Sequence, residues 1–221
     1  MVAKGLIPAR SALWGAYISL VLAGIIGLVL FFVWHTGPWT IPLGMIGMAG
    51  GFYYSSRPVR WVSSGIGELW IAVCYGWLPV ATGYYLQVGE FSPLVYAVSV
   101  PIAFTILNVI LINEFPDYPG DSATGKRNLA VRLGLPRAAA LYAVIATASW
   151  FAWLASTLTG VPAIFLWLQA PFLVISVVLA GLMLRGEWAK PANLEWLCGA
   201  TLLVDLGIAA AYVISFLIGG A

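Results

Sequence analysis

Charge is what this sequence has least of. Only 8% of its 221 residues are Asp, Glu, Lys or Arg, where soluble globular chains carry about 25%. That scarcity excludes a water-soluble domain. No nucleic-acid partner is expected. Histidine occurs once, at His35 between Trp34 and Trp39. A lone histidine cannot build a metal site, and beside two indoles it reads as part of an aromatic belt at a membrane interface. Cysteine occurs twice, at Cys74 and Cys198, each inside an apolar run with no second ligand at metal spacing. A structural disulfide and a thiolate metal site are both excluded, and the two thiols read as small packing groups. Internal repeats, low-complexity tracts and a polar second domain are missing, which leaves one domain over 1–221.

What is present is apolar length. The chain is 62% hydrophobic, and a bilayer-spanning helix needs about 20 such residues. The runs are continuous rather than alternating, so a closed barrel is excluded. Seven spans are predicted, at 11–34, 38–54, 66–86, 93–115, 138–158, 162–184 and 194–218. The fold class is an all-α polytopic transmembrane bundle. Span 38–54 is short and glycine-rich, so an irregular or tilted segment is expected there. Lys4 and Arg10 precede a run too long for a signal-peptide core, so a span is expected rather than a cleavable leader.

The few charges fix a topology. Lys4 and Arg10 precede span one. Arg57 and Arg60 follow span two. Lys126, Arg127, Arg132 and Arg137 follow span four, and Arg185 and Lys190 follow span six. All ten basic residues therefore fall on one face, while the other carries Glu90 and His35. The positive-inside rule makes the basic face cytoplasmic, with the N-terminus inside.

The acids are just as concentrated. Of eight in the chain, Glu114, Asp117 and Asp121 sit together at the end of span four. Asn113, Asp117 and Asp121 are four residues apart, which keeps them within about 80° of one helical face. Pro116 and Pro119 argue for a kink near Asp117 or a helix end before Asp121. Two carboxylates suit Mg²⁺, which takes oxygen ligands and usually shares its shell with substrate phosphates. Lys126, Arg127 and Arg132 follow at once, with Arg57 and Arg60 on the same face. Carboxylates for a metal beside cations for phosphate make a diphosphate-binding set. A solvated loop whose charges simply pair is the competing reading.

The stretch from Asn113 to Asp121, Asn-Glu-Phe-Pro-Asp-Tyr-Pro-Gly-Asp, is followed by Gly-Lys-Arg-Asn-Leu-Ala-Val-Arg-Leu-Gly at 125–134. It resembles the second aspartate-rich motif of the UbiA superfamily of intramembrane prenyltransferases. The branch it most resembles acts on 1,4-dihydroxy-2-naphthoate in menaquinone biosynthesis. Tyr53-Tyr54-Ser55 with Pro58 and Arg60, then Gly65-Ile66-Gly67-Glu68, resemble a second patch of that branch. The resemblance implies a Mg²⁺-dependent transferase. Asp117 and Asp121 would hold the metal, with Lys126 beside them. Asn113, Arg57, Arg60, Glu68, Arg127 and Arg132 would contact substrate. The prenyl diphosphate would ionise, and an electron-rich aromatic ring would capture the cation within the bilayer. A bacterial or archaeal cytoplasmic membrane, with the site on its inner side, is the implied location.

One departure stands out. The family normally has nine spans and a first aspartate-rich motif, whereas no acidic residue precedes Glu68 here. Met1–Arg10 resembles the stretch just after that first motif. A late start site, a shortened enzyme and a non-catalytic lipid- or quinone-binding remnant are the alternatives. Asp205, in the middle of the last span, is a separate candidate for a cavity or proton role, or else a hydrogen-bond partner. Asn108, Gln87 and Gln169 are expected at helix interfaces. Glu68 is expected to orient Arg60, to contact the acceptor, or simply to start a helix.

Overall fold

A computed structural model describes residues 7–219, and among them every regular element is helical. Ala9–Phe32 (α1) and Thr40–Ser55 (α2) come first. Gly67–Ala72 (α3) runs through a π-helical turn at Val73–Trp77 into Leu78–Val88 (α4). Pro93–Ala123 (α5) is followed by the short Leu129–Leu133 (α6), and then by Leu135–Ser156 (α7), Phe165–Leu184 (α8) and Pro191–Gly219 (α9). Lys4 lies outside the described residues.

Six of these units are long and apolar enough to cross a bilayer: α1, α3 joined to α4, α5, α7, α8 and α9. The seventh expected span is α2. It is regular, but its 16 residues rise only about 24 Å, short of the ~30 Å hydrocarbon core.

Helix α5 is the hub, packed against α3, the π turn, α7 and α9. The core gathers Leu111, Ile112 and Phe115 of α5 with Tyr142 and Trp153 of α7 and Ile208 of α9. Phe165 of α8 and Tyr212 of α9 stack there with ring centroids 4.1 Å apart. Helix α1 leans chiefly on α2, and none of its residues is buried.

The π turn has two local causes. Pro79 carries no N–H and would crowd the carbonyl of Tyr75 in a regular helix; a widened turn removes that conflict. Gly76 lies so close to Ala103 of α5 that a Cβ would collide with its backbone, the close approach that small residues permit between membrane helices. The buried positions record the extra residue. They fall at Glu68, Ala72 and Gly76, then Ala81 and Tyr85, with a step of five across the turn.

Helix α5 corrects an expectation. It neither breaks at Asp117 nor ends before Asp121, but continues past Pro116 and Pro119 to Ala123. Pro116 deprives the Ile112 carbonyl of its usual partner, and the Cys198 thiol of α9 approaches that oxygen at 3.8 Å. Both proline rings lie on the exposed side, where no neighbouring helix obstructs them.

The basic segments do share one end of the bundle. The start of α1 and Ser55–Arg57 line one cavity. Gly65 packs on the Arg132 side chain, and Phe115 meets Trp188 edge-on at 5.5 Å. At the opposite end Tyr85 accepts a hydrogen bond from the Trp39 N–H at 3.1 Å, near the exposed His35 and Glu90.

Candidate active site

Because α5 is unbroken, Asn113, Asp117 and Asp121 do lie along one side of it. Asn113 and Asp117 are exposed and Asp121 is half-buried. Asp117 makes no salt bridge or side-chain hydrogen bond among the described residues, so its carboxylate is open. Asn113 lines a cavity of about 730 Å³ with Pro116, Trp188, Glu195 and Cys198.

The chain then reverses at Gly125, whose φ of +73° suits a residue without a Cβ. The reversal brings Lys126 back onto Asp121. Lys126 Nζ and Asn128 Nδ2 both donate to Asp121 Oδ2, each at 2.7 Å. The other end of the Asn128 amide accepts from the Val131 N–H at 3.0 Å and so caps α6. Asn128 is almost fully buried. Reasoning from sequence did not single it out, although an Asn directly before Leu-Ala-Val is a helix-start signal.

Two glutamates complete the cap. Glu68 Oε1 of α3 accepts from the Leu129 N–H at 2.8 Å, and Glu114 Oε2 of α5 accepts from the Ala130 N–H at 3.0 Å. The first backbone donors of a helix have no partner within it, and here Asn128 beside the helix and two glutamates from elsewhere in the chain supply the acceptors. Glu68 is thus an interior anchor at 2% exposure and makes no hydrogen bond to Arg60. Arg132 Nε donates to the Arg127 carbonyl at 2.7 Å, which folds the basic segment back on itself. Arg57, Arg60 and Arg127 are exposed, and none is in a salt bridge among the described residues.

No group of three or more His, Cys, Asp and Glu side chains able to hold a metal occurs among the described residues. The Asp117/Asp121 pair offers two carboxylates, one open and one held by a lysine. That donor set fits a hard divalent ion that keeps water and takes phosphate oxygens, rather than one caged by protein.

The other polar expectations resolve individually. Asp205 is buried against Thr105 of α5, with 2.6 Å between Thr105 Oγ1 and Asp205 Oδ1. Gln87 is exposed and donates to Gly83 within its own helix, so it is not an interhelical bond. Asn108 and Gln169 are buried at interfaces, but their carbonyl oxygens have no hydrogen-bond partner among the described residues.

Fold and site together define a polytopic helical membrane protein with an acid–base mouth at one end of the bundle. Within that class the chain belongs to the UbiA prenyltransferase family, whose model matches residues 1–196. It is 31% identical over 185 residues to a 1,4-dihydroxy-2-naphthoate octaprenyltransferase of Mycobacterium tuberculosis, covering 84% of this chain and 59% of that protein. A 2-carboxy-1,4-naphthoquinone phytyltransferase of Synechocystis is 34% identical over 51% of this chain and 37% of its own length. A 1,4-dihydroxy-2-naphthoate octaprenyltransferase of Bacillus subtilis is 29% identical over 48% of this chain and 34% of its own. The chain therefore spans at most about three fifths of these relatives. No solved structure gives a significant match.

Proposed function

We propose that this chain transfers a prenyl group from a prenyl diphosphate to an aromatic acceptor of the 1,4-dihydroxy-2-naphthoate type, as a step of quinone biosynthesis. The observation that carries the reading is the open Asp117 carboxylate one helical turn from Asp121, with Lys126 fixed on Asp121 at 2.7 Å. Its position at the basic end of an apolar bundle suits a substrate with a charged head and a long apolar tail. The printed names of the relatives support the acceptor class.

Asp117 and Asp121 would hold Mg²⁺, which would withdraw charge from the departing diphosphate. Lys126, with Arg127 and the terminal guanidinium of Arg132, neutralises the remaining phosphate oxygens. Arg57 and Arg60, exposed at the same end of the bundle, would add to that charge. The diphosphate would depart as the leaving group, and apolar helix walls would keep water from the allylic cation until an acceptor ring carbon bonds to it, after which the ring would lose its proton or carboxylate. Asn113 faces the 730 Å³ cavity beside Trp188, where an aromatic acceptor can stack. The basic end faces the cytoplasm in this reading.

The test is prenyl transfer by the chain in membranes, with labelled prenyl diphosphate and a dihydroxynaphthoate, in Mg²⁺ or in EDTA. Mg²⁺-dependent product is the expected result. Product that persists in EDTA would overturn the metal assignment. No product under any condition would favour a lipid- or quinone-binding bundle without catalysis.

A further inference from the structure

Glu68 and Glu114 come from different helices, are both buried, and grip consecutive backbone N–H groups of α6. Gripping consecutive amides brings the two carboxyl groups together, with Tyr54 of α2 and Lys126 of the loop as the titratable groups facing them. Each acid uses one oxygen on α6. The other oxygen of Glu68 is buried without a hydrogen-bond partner. Two ionised carboxylates in contact would repel and leave that oxygen unsatisfied. A single proton between them removes both costs, as it does wherever two carboxyl groups occupy one site.

We infer that Glu68 and Glu114 share one proton and act as a single two-pronged clamp, positioning the segment that carries Lys126, Arg127 and Arg132. The clamp's purpose rests on the diphosphate reading above; its existence does not. The segment also packs into the core through Ala130 and lies on Gly65 through Arg132, but its own helix is short. Helix α6 is five residues long, far below the length at which a helix persists alone. Asn128 anchors it to Asp121, and the two glutamates anchor it to α3 and α5. Lys126 and Arg132 lie on either side of those anchors, so the registry of the cations follows from them. Glu68 and Glu114 are positioning residues and touch no substrate in this account.

The shared proton makes an unusual demand on substitutions. A glutamine can replace either acid, because its oxygen accepts the backbone N–H and its amide donates to the remaining carboxylate. Two glutamines cannot, because their amide donors would face each other. The experiment follows amide hydrogen exchange at Leu129 and Ala130 in the detergent-solubilised chain. Glu68→Gln and Glu114→Gln are each expected to exchange within about threefold of the parent. The double variant is expected to exchange about tenfold faster or more, in keeping with a lost buried hydrogen bond. Glu68→Ala, which removes the prong, should match the double variant. Loss of protection in both single glutamine variants would overturn the shared proton. Unchanged protection in the double variant would overturn the clamp. In parallel, protection of the same amides by added Mg²⁺ and inorganic pyrophosphate reads the diphosphate site. Its failure with the glutamine pattern intact would count against the proposed function and leave the clamp standing.

Discussion

Asp117 and Asp121 look equivalent in the sequence and are not equivalent in the structure. Asp117 is exposed and unpaired among the described residues, whereas Asp121 receives both Lys126 and Asn128. Asp117→Asn should leave thermal stability within about 0.5 kcal/mol of the parent while removing Mg²⁺-dependent transfer by about a hundredfold or more. Asp121→Asn should remove transfer and also cost about 1 kcal/mol, because two donors lose their charged acceptor. Unfolding curves in detergent, read beside turnover, separate the two roles. Asp205 has a different logic. Thr105 has one hydroxyl proton and two acceptors in reach, Asp205 Oδ1 at 2.6 Å and the Ile102 carbonyl at 2.9 Å. An asparagine at 205 could donate its amide to Thr105 Oγ1 and leave the hydroxyl for the Ile102 carbonyl, so Asp205→Asn should be tolerated within about 1 kcal/mol, whereas Thr105→Val should cost about 1–3 kcal/mol. Sequence alone marks Asp205 as an expensive intramembrane acid. It does not mark Thr105, which lies a hundred positions away.

At the scale of the element, the four-residue spacing in α5 was legible and the helix's persistence was not. Propensity rules end a helix before Pro116 and Pro119, but they take no account of a thiol on another helix or of an open side for the rings. Pro116→Ala should therefore be neutral or slightly stabilising, since it gives the Ile112 carbonyl a regular donor. Gly76→Val should cost more than about 2 kcal/mol, because its branches meet the Ala103 backbone. Both are measured by chemical or thermal unfolding of the solubilised chain. The link between α8 and α9 is held differently. Lys190, first, and then Asn193 hydrogen-bond the half-buried Glu187 and hold its carboxyl below the usual 4.5. That contribution is complete above pH 4.5 and fades as pH falls through the lower folded value. Local exchange at 187–193 should rise only in that acid window, and less so in high salt.

At the scale of the molecule, the distribution of bases was the strongest signal in the chain. Each basic segment among the described residues lies at the same end of the bundle, as charge counting had placed it. Span number was less legible. Hydropathy reports apolar content rather than helix length, so it could not distinguish α2 from a full crossing. The clamp on α6 was invisible for a related reason. Glu68 and Leu129 are 61 positions apart, and no local pattern encodes which helix faces which loop. If the basic end is cytoplasmic, a cysteine placed at Glu90 should react with an impermeant maleimide from outside intact cells. One placed at Arg185 should react only after permeabilisation. The opposite labelling pattern would invert the bundle.

The π turn at Val73–Trp77 is a place where this chain can change its length by one residue without changing how its helices face one another. It stores one surplus residue between two halves that each pack correctly. Deleting a single residue within it would let the turn close to ordinary helix and return the step of five to a step of four, with both halves facing as before. Closing the turn with all five residues kept would instead swing the outer half by about 100°. Ala81 would then leave the core, and Tyr85 would leave the Trp39 N–H that its hydroxyl receives. A one-residue gap at these five positions in a related sequence would therefore mark a helix without the π turn but with the same rotational setting.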